Sequence, residues 1–155
     1  MPYRVIVAGM GKRGVHHASA FAANPRFELA GICSRDPQRL AAVAAKLGAV
    51  RTSTDPSELA GAVRPDVFCF CTPPGVRLPM IEIGIRSGAK LVAFEKPVAM
   101  TSSEGLAIKQ ALDAAGVKAV VSHQHRYGEH YQRVKEIITS GAIGQVRTVY
   151  GTSTG

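Results

Sequence analysis

The first fourteen residues constrain this chain more than any other stretch. An apolar run, Tyr3-Arg4-Val5-Ile6-Val7-Ala8, breaks into Gly9-Met10-Gly11-Lys12-Arg13-Gly14 and then into helix-forming sequence. That order predicts a strand, a glycine turn and a helix start. Gly9 permits the tight turn, Gly11 lets a pyrophosphate come close to the backbone, and Gly14 lets helix and strand pack closely, so that the helix N-terminus can hold the anion. A glycine pattern of this kind is a weak signal alone, because a purely structural turn would also satisfy it. Here the strand before it and the helix after it supply the context the motif demands, which points to a dinucleotide.

A chain of 155 residues can bury one full core, and the default is a single domain. Hydrophobic content of 46% with 19% charged residues is that of an ordinary soluble globular protein, and no segment is apolar for long enough to cross a membrane. The N-terminus runs straight into a strand with no signal-type apolar core, so the cytoplasm is the simplest location. The net charge of +8 raises the question of nucleic acid, but the 19 basic residues are scattered singly, without a basic run or an aromatic platform. Lys12, Arg13, Arg35 and Arg39 instead gather at the expected phosphate end of the site, as an anionic small molecule requires. Cys33, Cys69 and Cys71 lie in apolar runs that read as strands, and they are expected as buried free thiols, since a C-x-C pair has no second pair to complete a zinc site.

Along the chain, apolar runs alternate with capped helical stretches. Val15 to Ala23 is helical until Asn24-Pro25, and Phe27 to Cys33 reads as the second strand. Asp36-Pro37 opens a helix to Leu47 that ends at Gly48, and a short strand around Val50 leads to Asp55-Pro56, another capped start. Val67-Phe68-Cys69-Phe70-Cys71 is an unbroken apolar run typical of a buried parallel strand, closed by Thr72-Pro73-Pro74-Gly75. A helix from about Val76 to Ser87, a strand from Lys90 to Phe94, a helix from Ser102 to Ala115 and a strand from Lys118 to Ser122 continue the pattern. Six strands with crossover helices predict an α/β fold with a doubly wound parallel sheet. A last helix from about Glu129 to Ser140 ends at Gly141, and Gln145 to Gly151 reads as one more strand without a partner.

Two constellations carry chemistry. The second strand ends in Cys33-Ser34-Arg35-Asp36, where an acidic residue would accept a hydrogen bond from an NAD ribose. Ser34 cannot repel a phosphate there, and Arg35 with Arg39 could pair with a 2′-phosphate, which favours NADP over NAD. In the bland alternative both arginines are solvated helix-start charges and Asp36 is simply the N-cap. The second constellation, Glu95-Lys96-Pro97, stands at the carboxyl end of the fifth strand, where open α/β sheets place their ligands. A lysine aimed into that crevice can donate to a substrate oxygen as hydride moves. By position alone Lys96 could equally be a surface lysine before a proline turn.

Together these residues resemble the family of glucose-fructose oxidoreductase, inositol dehydrogenase and the rhizopine-catabolism dehydrogenases (the Gfo/Idh/MocA family). Its N-terminal half carries this glycine fingerprint, a Thr-Pro turn after strand four and Glu-Lys-Pro after strand five. His17 matches a histidine often found three residues beyond the last glycine, and Ser140-Gly141-Ala142-Ile143-Gly144-Gln145-Val146 looks like the short link into a second domain. The resemblance implies that Lys96 is the catalytic lysine and that Glu95 and Pro97 shape the nicotinamide pocket, a cis Lys96–Pro97 bond being one means. It also implies that Arg126 and Tyr127 sit near the cofactor or the domain junction. Two departures stand out. Where many relatives have Thr-Pro-Asn, two residues and histidine, this chain has Thr72-Pro73-Pro74-Gly75-Val76-Arg77, so the usual amide and imidazole are absent. Relatives also continue for roughly 150 residues as an antiparallel sheet domain that supplies a catalytic histidine and most substrate contacts.

Residues 1–140 are therefore expected as the dinucleotide-binding domain, and residues 141–155 as the link and first strand of a truncated α+β substrate and oligomerisation domain. The expected cofactor-binding residues are Gly9, Met10, Gly11, Lys12, Arg13, Gly14, Ser34, Arg35, Arg39, Cys71, Thr72, Pro73, Glu95, Lys96, Pro97 and Arg126. The expected cofactor is NADP, with NAD as the alternative. The expected partner is a small molecule, a sugar, cyclitol or related hydroxy compound, with no nucleic acid and no membrane, and the full-length form is expected to be a homo-oligomer. His16, His17, His123, His125 and His130 lack the carboxylate or thiolate company and the spacing of a metal set, so no metal is expected. The Tyr131-x-x-x-Lys135 spacing of short-chain dehydrogenases is present, but those enzymes use a different glycine turn and place the pair mid-chain. From a different functional class, the alternative is a non-catalytic dinucleotide-binding module that senses cofactor or needs a partner chain.

Overall fold

The computed structural model describes residues 1–152 of the chain, so residues 153–155, the end of the expected link and strand, lie outside the described residues. Strands β1 (Tyr3–Ala8), β2 (Phe27–Cys33), β3 (Arg51–Ser53), β4 (Val67–Phe70), β5 (Leu91–Glu95) and β6 (Lys118–Ser122) alternate with helices α1 (Lys12–Ala23), α2 (Pro37–Leu47), α3 (Pro56–Val63), α4 (Arg77–Arg86) and α5 (Ser102–Ala115). All pairings are parallel, in the order β3-β2-β1-β4-β5-β6. This is the doubly wound sheet that the alternation predicts. Its strand order reverses between β1 and β4, and ligands of such sheets bind outside the carboxyl ends of strands at that reversal.

The central strands β1 and β4 bury both faces over Val5–Ala8 and Val67–Phe70, as a parallel sheet with helices on either side requires, while the edge strands β3 and β6 are largely exposed. Along β1, Val5 and Val7 join Ala18 of α1 and Leu40 and Val43 of α2 in one core. Ile6 and Ala8 point the other way, into a core with Leu59 and Val63 of α3, Ile81 of α4 and Ile108 and Leu112 of α5. The helix starts follow their caps. The Asp36 carboxylate accepts from the Arg39 amide, the Asp55 carboxylate from the Ser57 and Glu58 amides, and Thr101 with Glu104 forms a reciprocal capping box.

By its internal contacts the chain divides into two compact units, Met1–Ser122 and a second beginning at His123. The second unit contains a 3-10 turn at Gln124–Tyr127 and helix α6 (Glu129–Thr139). Residues 145–151, expected as a strand, form none. A strand exists through hydrogen bonds to a neighbour, and among the described residues none pairs with this segment. Helix α1 begins three residues before the periodic stretch from Val15, because the glycine turn flows into the helix without a capping side chain.

Phe68 of β4 is fully buried against Phe70, their rings 5.9 Å apart. Phe68→Ala is expected to lower the unfolding free energy by about 3–5 kcal/mol through lost burial and a residual cavity, as read from urea denaturation.

Candidate functional site

The site begins with a backbone that admits no side chain. Gly9 adopts a φ of +91°, and a Cβ there would lie 2.6 Å from the Cys71 carbonyl oxygen. A Cβ on Gly14 would lie 1.7 Å from the Gly9 carbonyl oxygen. The Gly9 amide donates to the Cys33 carbonyl at 2.8 Å and the Cys71 amide to the Ala8 carbonyl at 2.8 Å, so the turn is pinned to the ends of both β2 and β4. Gly11 is the N-cap of α1, with no side-chain cap and no acidic residue in the following turn. A Cβ on Gly11 would meet nothing within 4 Å among the described residues. The first-turn N–H groups of α1, which have no intrahelical acceptor, are thus left uncapped beside open space.

That space is a crevice of about 780 Å³ at the carboxyl ends of β1, β2 and β4. Of the expected cofactor residues, Gly9, Met10, Gly11, Ser34, Arg35, Arg39, Cys71, Thr72 and Pro73 line it. Pattern reasoning missed Thr54, Pro56, Val76, Pro79 and Met80, which complete its wall from the starts of α3 and α4. At the β2 end, Ser34 is buried and its hydroxyl accepts the Asp36 amide at 3.3 Å, whereas Arg35 and Arg39 are exposed. Asp36 also lines the crevice, and its carboxylate accepts the Arg39 amide at 3.0 Å with the Arg39 guanidinium 3.9 Å away. The Thr72 hydroxyl is buried and has no hydrogen-bond partner among the described residues, an unmet polar group that a ligand in the crevice can satisfy.

Lys12, Arg13, Gly14, Glu95, Lys96 and Pro97 do not line that crevice. Glu95, at the end of β5, is instead held by α1: its Oε1 accepts from Arg13 Nε at 2.9 Å and lies 2.8 Å from His17 Nε2. Arg13 Nη2 also reaches the Ser122 hydroxyl at 3.5 Å. Arg13 and His17 are four apart and so share a helical face, a spacing visible in the sequence once Glu95 is known to face it. Burial pushes the Glu95 carboxyl up, but hydrogen bonds from His17 and Arg13 and the Arg13 charge outweigh it and hold the group below its ordinary value. Lys96 follows on the surface, joined to Pro97 by a cis peptide bond. Arg126 belongs to the second compact unit, where the Gln132 side-chain amide donates to its carbonyl.

Cys33 and Cys69 are buried free thiols, and Cys71 is a half-buried one. Burial pushes Cys33 up to about 11. The Cys69 thiol is pushed up by its hydrogen bond to Cys71 and by burial, and Cys71 is correspondingly held below the ordinary thiol value. Ligand atoms of His17, Cys71 and Glu95 lie within 4.8 Å of one another. The cation against that carboxylate is Arg13, 2.8 Å away.

The turn after β4 holds a residue that pattern reasoning left unassigned. Arg77 is 2% exposed and donates to the carbonyls of Thr72 and Pro97. Its only sequence signal is the departure at this turn.

The family model for the oxidoreductase family with an NAD-binding Rossmann fold (Gfo/Idh/MocA) matches residues 3–123. The chain is 28% identical over 153 residues to inositol 2-dehydrogenase of Rhizobium meliloti, covering 99% of this chain and 46% of that protein. It is 27% identical over 146 residues to D-glucoside 3-dehydrogenase of Escherichia coli, covering 94% of this chain and 41% of that protein. Among solved structures, it superposes on the WlbA dehydrogenase of Bordetella pertussis, in complex with NADH and UDP-GlcNAcA, with a TM-score of 0.83 and 29% identity, covering 93% of this chain and 44% of that one. The chain thus spans under half the length of these relatives. Among the described residues no helix is long and apolar enough to cross a membrane.

A carboxylate whose folded value is lowered contributes stability above its ordinary value of 4.5, and that contribution is lost as pH falls through the lowered value. Stability measured by denaturation is expected to fall more steeply on the acid side in the natural chain than in Glu95→Gln, which lacks the titrating group.

Proposed function

This chain belongs to the Gfo/Idh/MocA oxidoreductase family, whose NAD-binding Rossmann domain it forms, and we propose that it holds NADP in preference to NAD for hydride transfer to or from a sugar, cyclitol or related hydroxy compound. The observation that carries this proposal is the uncapped N-terminus of α1 opening, past Gly11, onto the crevice at the β1–β4 reversal. The N–H groups there hold the pyrophosphate. The unpartnered Thr72 hydroxyl is a polar group suited to the same ligand. The bound nicotinamide supplies the hydride donor or acceptor.

Arg35 and Arg39 carry the preference for NADP. Both are exposed on the rim of the crevice with guanidinium groups available to a 2′-phosphate, and the buried Ser34 adds no charge against it. Asp36 supports the second possibility, NAD, since a carboxylate on the same wall can accept from a ribose hydroxyl. Its bond to the Arg39 amide and the nearby Arg39 charge offset that tendency.

Lys96, exposed at the carboxyl end of β5, moves a proton at the substrate oxygen through its ammonium group. Glu95 serves as its anchored neighbour, with its Oε1 already engaged by Arg13 and His17. The names of the relatives support the substrate class: one acts on inositol and one on a glucoside. Residues 1–140 form the cofactor domain in this proposal, and residues 141–155 lead into a substrate domain that corresponds to the unmatched part of those proteins.

Titration of this chain with each dinucleotide is expected to give tighter binding of NADP. Arg35→Ala should weaken NADP about tenfold, the loss of one charge-assisted contact, and leave NAD unchanged. Equal affinities, or an Arg35→Ala chain that binds NADP as before, would refute the preference. In a protein carrying the relatives' full length, Lys96→Ala should lower turnover about 10²–10⁴-fold in a nicotinamide absorbance assay.

A further inference from the structure

Arg77 is the first residue of α4, and its guanidinium does not face solvent: the residue is 2% exposed. Buried arginines ordinarily pair with a carboxylate, whereas the hydrogen bonds of this one run to main-chain carbonyls. Nη1 donates to the Thr72 carbonyl at 2.8 Å and Nε donates to the Pro97 carbonyl at 3.1 Å. The guanidinium carbon stands 5.7 Å from the Phe70 ring centre and 5.5 Å from that of Phe94, and those two rings stack 5.3 Å apart at 13°. Phe70 ends β4 and Phe94 is the penultimate residue of β5. One side chain therefore contacts the ends of two adjacent strands and both loops that leave them.

Those loops carry different parts of the site. Thr72 and Pro73 line the dinucleotide crevice, while Pro97 follows Lys96 directly. Loops at strand ends are free to shift unless side chains tie their unpaired backbone groups. A guanidinium is a rigid planar fork, so donors on one plane can fix the spacing of two acceptors, and its weak hydration and affinity for aromatic faces make its burial here tolerable. A lysine has a single flexible ammonium and cannot reproduce both contacts with the same geometry.

We propose that Arg77 is a positioning residue that locks the Thr72–Pro73 turn to the Lys96–Pro97 turn, and so sets the placement of Lys96 relative to the bound dinucleotide. This rests on the assignment of the crevice to a dinucleotide, but the lock itself is a property of the two turns. At this turn the chain uses one buried cation that reaches across to the neighbouring strand's loop.

The test compares the natural chain with Arg77→Lys and with Arg77→Met, which keeps the bulk and loses both donors. Backbone amide hydrogen exchange is followed segment by segment, and NADPH and NADH binding by nicotinamide fluorescence. In Arg77→Met, exchange at residues 71–76 and 95–99 is expected to accelerate about tenfold or more together, the loss of hydrogen bonds from a charged donor, while amides of β1 and β2 keep their protection. Dinucleotide affinity should fall by a similar factor, with Arg77→Lys intermediate. Acceleration across the whole sheet would overturn the proposal in favour of a general stability role. Unchanged exchange at both turns, or acceleration at only one, would overturn it as well. If the natural chain binds neither dinucleotide, the cofactor assignment fails, while the exchange comparison still decides whether Arg77 joins the turns.

Discussion

The structure depends on a backbone contact that excludes every side chain. At the end of β1 the Gly9 carbonyl lies where a Cβ on residue 14 would have to be, and the Cys71 carbonyl lies where a Cβ on Gly9 would point. Interiors are packed too densely for such contacts to be relieved by small shifts. Glycine at both positions lets α1 start directly above the strand and lets β4 approach it. From that follow the crevice at the reversal of strand order and the direction in which the helix N-terminus points. A side chain at either place would displace the helix, and with it the residues that α1 sends to β5.

The second organising element is charge at the ends of β4 and β5. Arg13 and His17 on α1 converge on Glu95, and Arg77 on α4 lies beneath the two turns that follow β4 and β5. In both arrangements side chains from a helix hold acceptors at the strand ends, Arg77 buried and Arg13 partly exposed. Much of the chain's basic excess is exposed, but these groups serve as fixed struts. They hold Lys96 between a carboxylate tied on one side and a proline whose carbonyl is tied on the other. Such double anchoring is how loops, ordinarily the most mobile parts of a fold, carry residues that need a defined position.

The local elements were legible because their signals are local. Asp36-Pro37 and Asp55-Pro56 mark helix starts by capping chemistry, and the helix from Ser102 to Ala115 and the strand from Lys118 to Ser122 have the bounds that the pattern predicts. The crevice residues contributed by the glycine turn, the end of β2 and the Thr-Pro turn were legible for the same reason. Thr54, Pro56, Pro79 and Met80 were not, since nothing in their neighbourhood marks a loop or helix start as a wall of the crevice. The segment 145–151 has the apolar content of a strand, and content alone does not create one without a neighbouring ladder.

The sequence by itself determined the alternation of strands and helices, the sites where only glycine fits, and the presence of Lys96 after an apolar run. These depend on periodicity, caps and steric size within a few residues of one another. The tertiary structure decided which charges meet. Arg13 and Glu95 are 82 positions apart, and Arg77 and Pro97 are 20. Their encounters depend on β4 lying beside β1 and β5 beside β4. That order is set by how both sheet faces are buried at once, a property of the packed whole that no short stretch of the chain encodes.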